Sequence, residues 1–252
     1  MSYLLAAAAI AGAAGTIPLL HHHRRRTRVY GELARSRAAI VAAHPPCIAT
    51  AADLVALRAT FEQERMVRIP AFIAGETLEK LQAECSANAE RAERSHLPGH
   101  KKGGTLSYEA IHCHAPACLA LYHSEALLGW LSALTGEALR VTADHDQSSC
   151  SLLYYDRAGD HIGWHYDHNF YRGRHFTVLL SLCNRAVAGG LSAGRLQRRR
   201  QGLVTEVETA ENTLVVFEGA RVFHRSTAVG DGDELVRRIK DTAYYGPRVL
   251  FD

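Results

Sequence analysis

Apolar residues recur with two different periods along the chain, and the change comes near Gly136. Before this residue the spacing is helical: Leu54, Leu57 and Phe61 repeat every three or four residues, and a longer helical pattern covers residues 116–135. After it the apolar runs shorten to strand length and are separated by turn residues, about eight times in all. The pattern predicts an α+β fold in which helices from the N-terminal half pack on a double-stranded β-helix, or jelly roll.

The N-terminal half contains several further elements. A segment with the composition of a helix begins at residue 28. Pro45 and Pro46 end this predicted helix and mark a boundary between elements. The other elements predicted in this half are helices at 50–64 and 78–94, a short strand at 66–70, and a loop at 96–104. We expect three parts: an N-terminal segment at 1–27, a helical extension at 28–65 and the main domain at 66–252.

An uncharged apolar stretch lies at the start of the sequence. Residues 4–20 carry no charge, and the basic run HHHRRRTR follows them. The stretch is close to the minimum length that crosses a bilayer, but it consists mostly of alanine. A secretory signal carries its positive charges before the apolar run, which argues against cleavage here. The order favours a membrane anchor that leaves the main domain in the cytoplasm, with a surface or poorly ordered helix as the alternative.

The composition is that of a soluble globular protein, with 47% apolar and 22% charged residues among 252. The formal net charge of +3 is too small to indicate binding to nucleic acid. Six cysteines are scattered without a CxxC pair, which favours a reducing compartment over a disulfide framework. Composition therefore leaves both an enzyme and a binding module open.

The clearest chemical signal is the segment His165-Tyr166-Asp167 in the strand-rich half. Side chains alternate between the two faces of a strand, so His165 and Asp167 would share one face. A third ligand is offered by His224, which follows an apolar strand and a Glu-Gly turn. Two histidines and one carboxylate on one side of an ion form the facial triad of non-haem Fe(II) oxygenases.

A second metal hypothesis concerns a zinc site at His112, Cys113 and His114, together with Cys118. Residues 112 and 114 would share a face if this segment were a strand. Zinc sites normally use ligand pairs with wider spacing, so the hypothesis is the weaker one.

The order and spacing of these motifs resemble the Fe(II)- and 2-oxoglutarate-dependent oxygenase superfamily, most closely its prolyl 4-hydroxylase-like branch. The resemblance covers about residues 66–245, over two thirds of the chain. It is carried by the segments Tyr155-Asp156-Arg157-Ala158-Gly159-Asp160, His165-Tyr166-Asp167, Gly189-Gly190 and Leu214-Val215-Val216-Phe217, followed by His224.

The resemblance implies a set of cofactors and the residues that hold them. Fe(II) would be bound by His165, Asp167 and His224, with 2-oxoglutarate and O2 as co-substrates and ascorbate as a further reductant. A cation should hold the far carboxylate of 2-oxoglutarate about ten residues after the distal histidine. Position 234 is glutamate, so this chain departs from the pattern. Arg238 is the predicted cation, with Arg237 as the alternative.

The same resemblance makes Tyr155 and Thr177 candidates for further contacts to 2-oxoglutarate, with simple packing and strand formation as the structural alternatives. It also implies a reaction: 2-oxoglutarate becomes succinate and CO2 while a C–H bond of the substrate is oxidised. In related halogenases a small residue replaces the carboxylate ligand so that chloride can bind. Asp167 is present here, which favours hydroxylation, demethylation or desaturation.

The substrate is predicted only as a class. Polar residues after the metal motif suit a small metabolite or a peptide side chain. The sequence lacks the pattern of aromatic and basic residues that base flipping requires, so a nucleic-acid substrate is not indicated. Two alternatives remain open at this point: a cupin-like metalloenzyme that does not use 2-oxoglutarate, and a catalytically inactive jelly-roll binding module.

Overall fold

The computed structural model describes residues 31–32, 34–142, 146, 149–169, 171–245 and 248–249. For residues 171–172, 234–245 and 248–249 it describes the backbone alone. Residues Ile40–Asp252 form one compact unit. The apolar stretch at 4–20 lies outside the described residues, and the expected boundaries after residues 27 and 65 stay predictions.

Helices occupy most of the N-terminal half, as the apolar spacing predicts. Residues 34–43 are helical. The helices that follow are α1 (Leu54–Glu64), α2 (Gly75–Asn88), α3 (Tyr108–His114), α4 (Pro116–Tyr122) and α5 (Glu125–Thr135), with a 3-10 turn at Ala89–Arg91 after α2. The single helix expected at 116–135 is thus two helices, because the Ser124 hydroxyl accepts the Leu127 N–H and starts a new helix there.

Helices α4 and α5 together are long and apolar enough to pass for a membrane-crossing segment. Residues Pro116–Thr135 have a mean hydropathy of 1.2, but 56% of that window is buried inside the protein. Leu119, Leu127 and Leu131 belong to the main hydrophobic core. The apolar character of this segment is therefore accounted for by the core.

The strands are β1 (Met66–Ile69), β2 (Glu93–Leu97), β3 (Lys101–Leu106), β4 (Leu152–Tyr155), β5 (His161–His165), β6 (Tyr171–Arg172), β7 (His175–Arg185), β8 (Leu196–Arg200), β9 (Leu203–Val207), β10 (Thr213–Glu218), β11 (Phe223–Ser226), β12 (Glu234–Tyr245) and β13 (Arg248–Val249). Their order in the large sheet is β1-β10-β7-β12-β4-β3-β5-β11-β8-β9, with β2 beside β3. Neighbouring strands are antiparallel and mostly distant in sequence. The predicted α+β architecture with a jelly-roll core is confirmed.

One predicted loop is wrong. Residues 96–104 belong largely to the hairpin of β2 and β3, which turns at Gly99 with a φ of 73°. The glycines that suggested a loop are needed for close packing, because a Cβ at Gly103 would lie 3.2 Å from Tyr154 O and from the Tyr155 ring. The hairpin continues the sheet between β4 and β5.

The two faces of the central strands have different partners. Along β7, Phe176, Val178 and Leu180 join the large core shared with the helices, and Phe176 packs against Phe61 of α1 with ring centroids 5.9 Å apart. The alternating residues on the other face include Thr177, and they line a small cavity inside the roll. Strand alternation thus separates a dry core from a polar cavity.

The two ends of the large sheet, β1 and β9, border a groove of about 460 Å³. Ion pairs cross it: Arg68 lies 3.2 Å from Glu208, and Glu64 lies 2.9 Å from Arg198 and 2.8 Å from Arg200. Hydrogen bonds from Arg200 and Arg198 lower the pKa of Glu64. Charged side chains therefore join the ends of the sheet where backbone pairing stops.

Candidate metal centre

His165 and His224 lie directly opposite each other on β5 and β11. The next paired residues are Ile162 and Ser226, so two residues of β5, Gly163 and Trp164, face the single residue between His224 and Ser226. This is a β-bulge, and it resets the alternation of faces. As a result both Ile162 and His165 line the inner cavity, although they are three positions apart.

The three predicted ligands come together at the mouth of this cavity. Nε2 of His165 lies 3.4 Å from Oδ1 of Asp167, and Nε2 of His224 lies 3.9 Å from the same oxygen. One ligand atom from each residue falls within 4.8 Å of the others. The Asp167 side chain is fully buried, and the His165 side chain is 14% exposed. Two nitrogens and one oxygen therefore converge from one side.

The histidines are held in the tautomer that a metal requires. Nδ1 of His165 lies 2.8 Å from the Gly163 carbonyl oxygen, and Nδ1 of His224 lies 2.9 Å from that of Val222. A carbonyl can only accept a hydrogen bond, so each Nδ1 carries the proton. Each Nε2 then keeps a lone pair directed at the cavity, which is the arrangement expected of a metal-binding imidazole.

Asp167 is positioned by two neighbours outside β5. Its N–H donates to the Gly219 carbonyl at 3.0 Å, and its Oδ2 accepts a hydrogen bond of 2.6 Å from the Thr177 hydroxyl. The bond to Oδ2 leaves Oδ1 as the oxygen next to the two imidazoles. A Cβ on Gly219 would lie 2.5 Å from Thr177 Oγ1 and 2.8 Å from Asp167 Cβ, so only glycine fits.

The turn that carries Gly219 is fixed by the nearly buried carboxylate of Glu218. Arg65 and Arg174 each lie 3.4 Å from its Oε2, and Arg221 lies 3.1 Å from its Oε1. The Glu218 N–H also donates to the Arg65 carbonyl at 3.0 Å. These contacts tie the turn between β10 and β11 to the end of α1 and to the start of β7.

The donor set fits a divalent first-row metal such as Fe(II). Two neutral imidazoles and one carboxylate on one side leave the other coordination positions to small molecules. Among the described residues, the triad is the one group of three or more His, Cys, Asp or Glu side chains with such geometry. The strand assumed for the zinc hypothesis is wrong, since His112, Cys113 and His114 lie in α3.

Tyr155 and Thr177 both line the cavity beside the triad, which has a volume of about 40 Å³. Tyr155 is 3% exposed and packs with Val229. The Thr177 hydroxyl is engaged with Asp167, a role that its position in a β-forming run did not indicate. Apolar side chains form much of the remaining wall: Leu153, Ile162, Leu179 and Leu196.

The backbone register of β12 bears on the predicted cation. Arg237 lies opposite Leu153 on one side and Ser181 on the other. Arg238 lies opposite Leu152 and Leu180, which belong to the helix-facing core. Directly opposed residues share a face of a sheet, so the register favours Arg237 for the cavity face. The assignment of the cation stays a prediction.

The motif ahead of the triad forms an ion-pair network. Both oxygens of the buried Asp160 lie 2.7 Å from Nη2 of Arg94, and Asp156 lies 2.6 Å from Nη1. Burial opposes the charge on Arg94, but the hydrogen bonds and charges of Asp160 and Asp156 outweigh it and raise the pKa of Arg94. This network joins the turn before β5 to β2.

Comparison with known proteins gives one family. The model of the family described as Halogenase D matches residues 49–176, just over half of the 252 residues. No curated protein sequence matches the chain.

Several solved structures have a similar fold. A prolyl-4-hydroxylase from Pseudomonas putida has 18% identity and a TM-score of 0.55, covering 75% of this chain and 98% of that chain. A Trichoplax adhaerens prolyl hydroxylase, solved with a peptide of hypoxia inducible factor, has 14% identity and a TM-score of 0.60, covering 76% and 88%. The α-ketoglutarate-dependent epimerase SnoN from nogalamycin biosynthesis has 14% identity and a TM-score of 0.62, covering 76% and 80%.

At these identities the structural likeness establishes the shared fold, and the family match covers the segment with His165 and Asp167. His224 completes the same ligand set from outside the matched segment. The chain therefore belongs to the Halogenase D family, within the superfamily of Fe(II)- and 2-oxoglutarate-dependent oxygenases.

Proposed function

We propose that this oxygenase hydroxylates an unactivated C–H bond of a peptide side chain or a small metabolite, with release of succinate and CO2. The observation that carries the proposal is the complete triad, in which Asp167 Oδ1 lies 3.4 Å and 3.9 Å from the two histidine Nε2 atoms. Bound Fe(II) and 2-oxoglutarate would supply the oxidising chemistry. The residues of this chain bind and orient these groups and exclude water.

The presence of Asp167 favours hydroxylation over halogenation, the reaction after which the family is named. Halide transfer requires an open position for the halide where the carboxylate would bind. Here the carboxylate is fully buried and accepts a hydrogen bond from the Thr177 hydroxyl, while the Asp167 backbone N–H donates to the Gly219 carbonyl. With Asp167 as a ligand, that position is taken, and transfer of oxygen is the outcome that the donor set supports.

The cavity wall supports a site for the co-substrate. Leu153, Ile162 and Leu179 give the cavity an apolar wall and Tyr155 offers a phenol, while Arg237 of β12 lies opposite Leu153 in the backbone register. An arginine holds a carboxylate through two parallel N–H groups, which fixes the orientation of the bound acid. We assign this role to Arg237 on the strength of its register, with Arg238 as the alternative.

The test is an anaerobically loaded protein with Fe(II), 2-oxoglutarate, chloride and a pool of peptides and metabolites, then exposed to air and analysed by mass spectrometry. We expect succinate together with a product heavier by one oxygen atom, both absent in Asp167→Ala. A chlorinated product from the unaltered protein would show that the reaction is halogenation and not hydroxylation. Oxidation without consumption of 2-oxoglutarate would indicate the cupin-type alternative, and no turnover with any pool would indicate a binding module.

Two variants test which arginine binds the far carboxylate of 2-oxoglutarate. Arg237→Gln should raise the Kd for 2-oxoglutarate by about 100-fold, since one partner of a charge-assisted pair is lost. Arg238→Gln is the matched control and should leave that Kd within about threefold. The reverse result would assign the role to Arg238.

A further inference from the structure

A group of aromatic and arginine side chains lies on the outer face of the sheet beside the metal centre. We call it the aromatic–arginine platform, and it consists of Trp164, Tyr166, Arg199, Phe223 and Arg225. The Phe223 ring lies between the other two aromatic rings, with centroids 5.3 Å from Trp164 and 4.9 Å from Tyr166 and interplanar angles of 23° and 33°. Both guanidinium carbons lie 4.7 Å from the Trp164 ring centroid.

The bulge in β5 lies at this platform. Trp164 is one of the two bulged residues, and it directly precedes the ligand His165. Phe223 likewise directly precedes the ligand His224. Arg225 also contributes to the lining of the inner cavity, so the platform begins at the rim of the metal site.

Neighbouring arginines form ion pairs with glutamates, whereas the two platform arginines form none with the residues that the structure describes. Arg195 pairs with Glu206, Arg198 and Arg200 pair with Glu64, and Arg221 pairs with Glu218. Among the described residues, no carboxylate lies within ion-pair distance of the two platform guanidinium groups. Arg225 Nε donates to Gln197 Oε1 at 2.9 Å, a neutral partner. The platform therefore carries a local double positive charge with free hydrogen-bond donors.

We propose that the platform docks an acidic polypeptide segment that carries the residue to be oxidised. The inference rests on the proposed function and narrows its substrate class from any small molecule or peptide to an acidic peptide. Guanidinium groups stacked on an indole keep their N–H edges in a fixed plane, which suits a carboxylate. Half-exposed Tyr166 offers apolar area at the end of the platform next to the metal centre.

The extent of the site favours a polypeptide over a small metabolite. The platform and the triad lie on opposite faces of the same strands. A molecule that contacts both must pass the rim at Tyr166. An extended peptide covers about 3.3 Å per residue, so a segment of several residues can reach from the platform to the metal centre, whereas a small metabolite cannot contact both.

The same observations disfavour single-stranded nucleic acid. Its bases need free aromatic faces, but Trp164 is stacked on Phe223 and also carries the guanidinium groups of Arg199 and Arg225 over its ring. A phosphate backbone also needs a continuous basic groove. Here Arg195 pairs with Glu206, and Arg198 and Arg200 share Glu64, so the arginines next to the platform are engaged in ion pairs and do not extend it as a basic groove.

The test measures binding of fluorescein-labelled deca-glutamate by fluorescence anisotropy at low salt, without metal or 2-oxoglutarate. Arg199→Glu/Arg225→Glu should raise the Kd at least about tenfold. The control Arg91→Glu/Arg157→Glu changes two exposed arginines elsewhere and has the same net charge, so its Kd should change less than about threefold. Arg199→Glu alone should show an intermediate loss, and an unchanged Tm in a thermal scan of each variant shows that the loss does not come from a damaged fold.

Equal losses in the two double variants would overturn the proposal, since net charge alone would then explain binding. Absence of deca-glutamate binding at millimolar concentration would overturn it as well. Tenfold tighter binding of oligo-dT, lost in Tyr166→Ala, would assign the platform to nucleic acid. Deca-glutamate binding is measured without cofactors, so it does not depend on turnover. If the peptide binds the platform as expected but the protein forms no succinate, the proposed function is rejected and the docking proposal stands.

Discussion

The hydroxyl of Thr177 donates a hydrogen bond of 2.6 Å to Oδ2 of Asp167. Thr177 lies in β7, whereas Asp167 lies in the segment after β5. The bond leaves Oδ1 as the carboxylate oxygen that faces His165 and His224. The β-forming residue Thr177 is thus the orienting partner of a ligand.

Removal of this hydroxyl should weaken metal binding without disturbing the packing. Thr177→Val keeps the branched shape and loses the donor, and we expect the Kd for Mn(II) to rise about tenfold, as for other partners of metal ligands. Thr177→Ser keeps the donor and should stay within about threefold of the original Kd. Calorimetry under anaerobic conditions measures both, and an unchanged Kd in Thr177→Val would show that Asp167 is held by its backbone.

Gly219 should tolerate no side chain. In Gly219→Ala the new Cβ would meet Thr177 Oγ1 at 2.5 Å and Asp167 Oδ2 at 2.9 Å, so we expect Mn(II) binding to fall at least about tenfold. Gly129→Ala is the matched control, because nothing lies within 4 Å of its Cβ in the interior of α5. That control should raise the free energy of unfolding by up to about 1 kcal/mol and leave Mn(II) binding unchanged.

The metal itself should stabilise the fold. At a free concentration of 100 times its Kd, Mn(II) should add about 2.7 kcal/mol to the free energy of unfolding, if it binds the native state alone. The gain should appear as a rise in Tm in a thermal scan and should vanish in Asp167→Ala. A rise of equal size in that variant would place the bound metal elsewhere in the protein.

Asp160 should contribute more to stability than Asp156, although both pair with Arg94. Asp160 is fully buried, so Asp160→Ala leaves a partly buried guanidinium without its main partner and should cost about 3 kcal/mol. The Asp156 side chain is 36% exposed, and Asp156→Ala should cost less than about 1 kcal/mol. Urea denaturation gives both values, and equal costs would contradict the burial argument.

Asp233 links stability to pH. The backbone N–H of Ala193 donates to its Oδ2 at 2.7 Å and that of Gly230 at 3.0 Å. The Ala193 bond is the main cause that lowers the pKa of Asp233 from 3.8, and burial opposes it. A lowered folded-state pKa stabilises the protein above the unfolded-state pKa, and this stabilisation is lost as pH falls through the folded-state value.

Asp233→Asn should therefore reduce the free energy of unfolding by about 1 kcal/mol at neutral pH. The difference from the parent protein should shrink as the pH falls below about 4. Denaturant titrations at several pH values measure it, and a difference that stays constant down to pH 3 would exclude the carboxylate as the cause.

The triad could be predicted because its chemistry follows from residue types and order. His165 and Asp167 bracket one residue in a strand-rich region, and His224 follows an apolar strand and a turn. The structure brings all three together. Fe(II) affinity depends on few atoms, so a short motif carries much of the information.

The supporting residues could not be predicted, because their roles depend on contacts between distant segments. The glycines of β3 suggest a loop until Tyr154 and Tyr155 are packed against them. Thr177 and Gly219 meet Asp167 through the sheet order and the turn after β10, which local composition does not contain. The choice between neighbouring arginines in β12 similarly depends on a strand register that bulges alter.

The bulge at Gly163 and Trp164 gives β5 one residue more than the partner strand β11 needs at this point. Removal of Gly163 would leave Trp164 alone opposite Arg225, and simple alternation would then keep Ile162 and His165 on the cavity face and the indole on the outer face. A chain shortened by this one residue should therefore keep both the metal ligand and the platform. Among related chains, a missing residue at position 163 should accordingly be compatible with an intact triad.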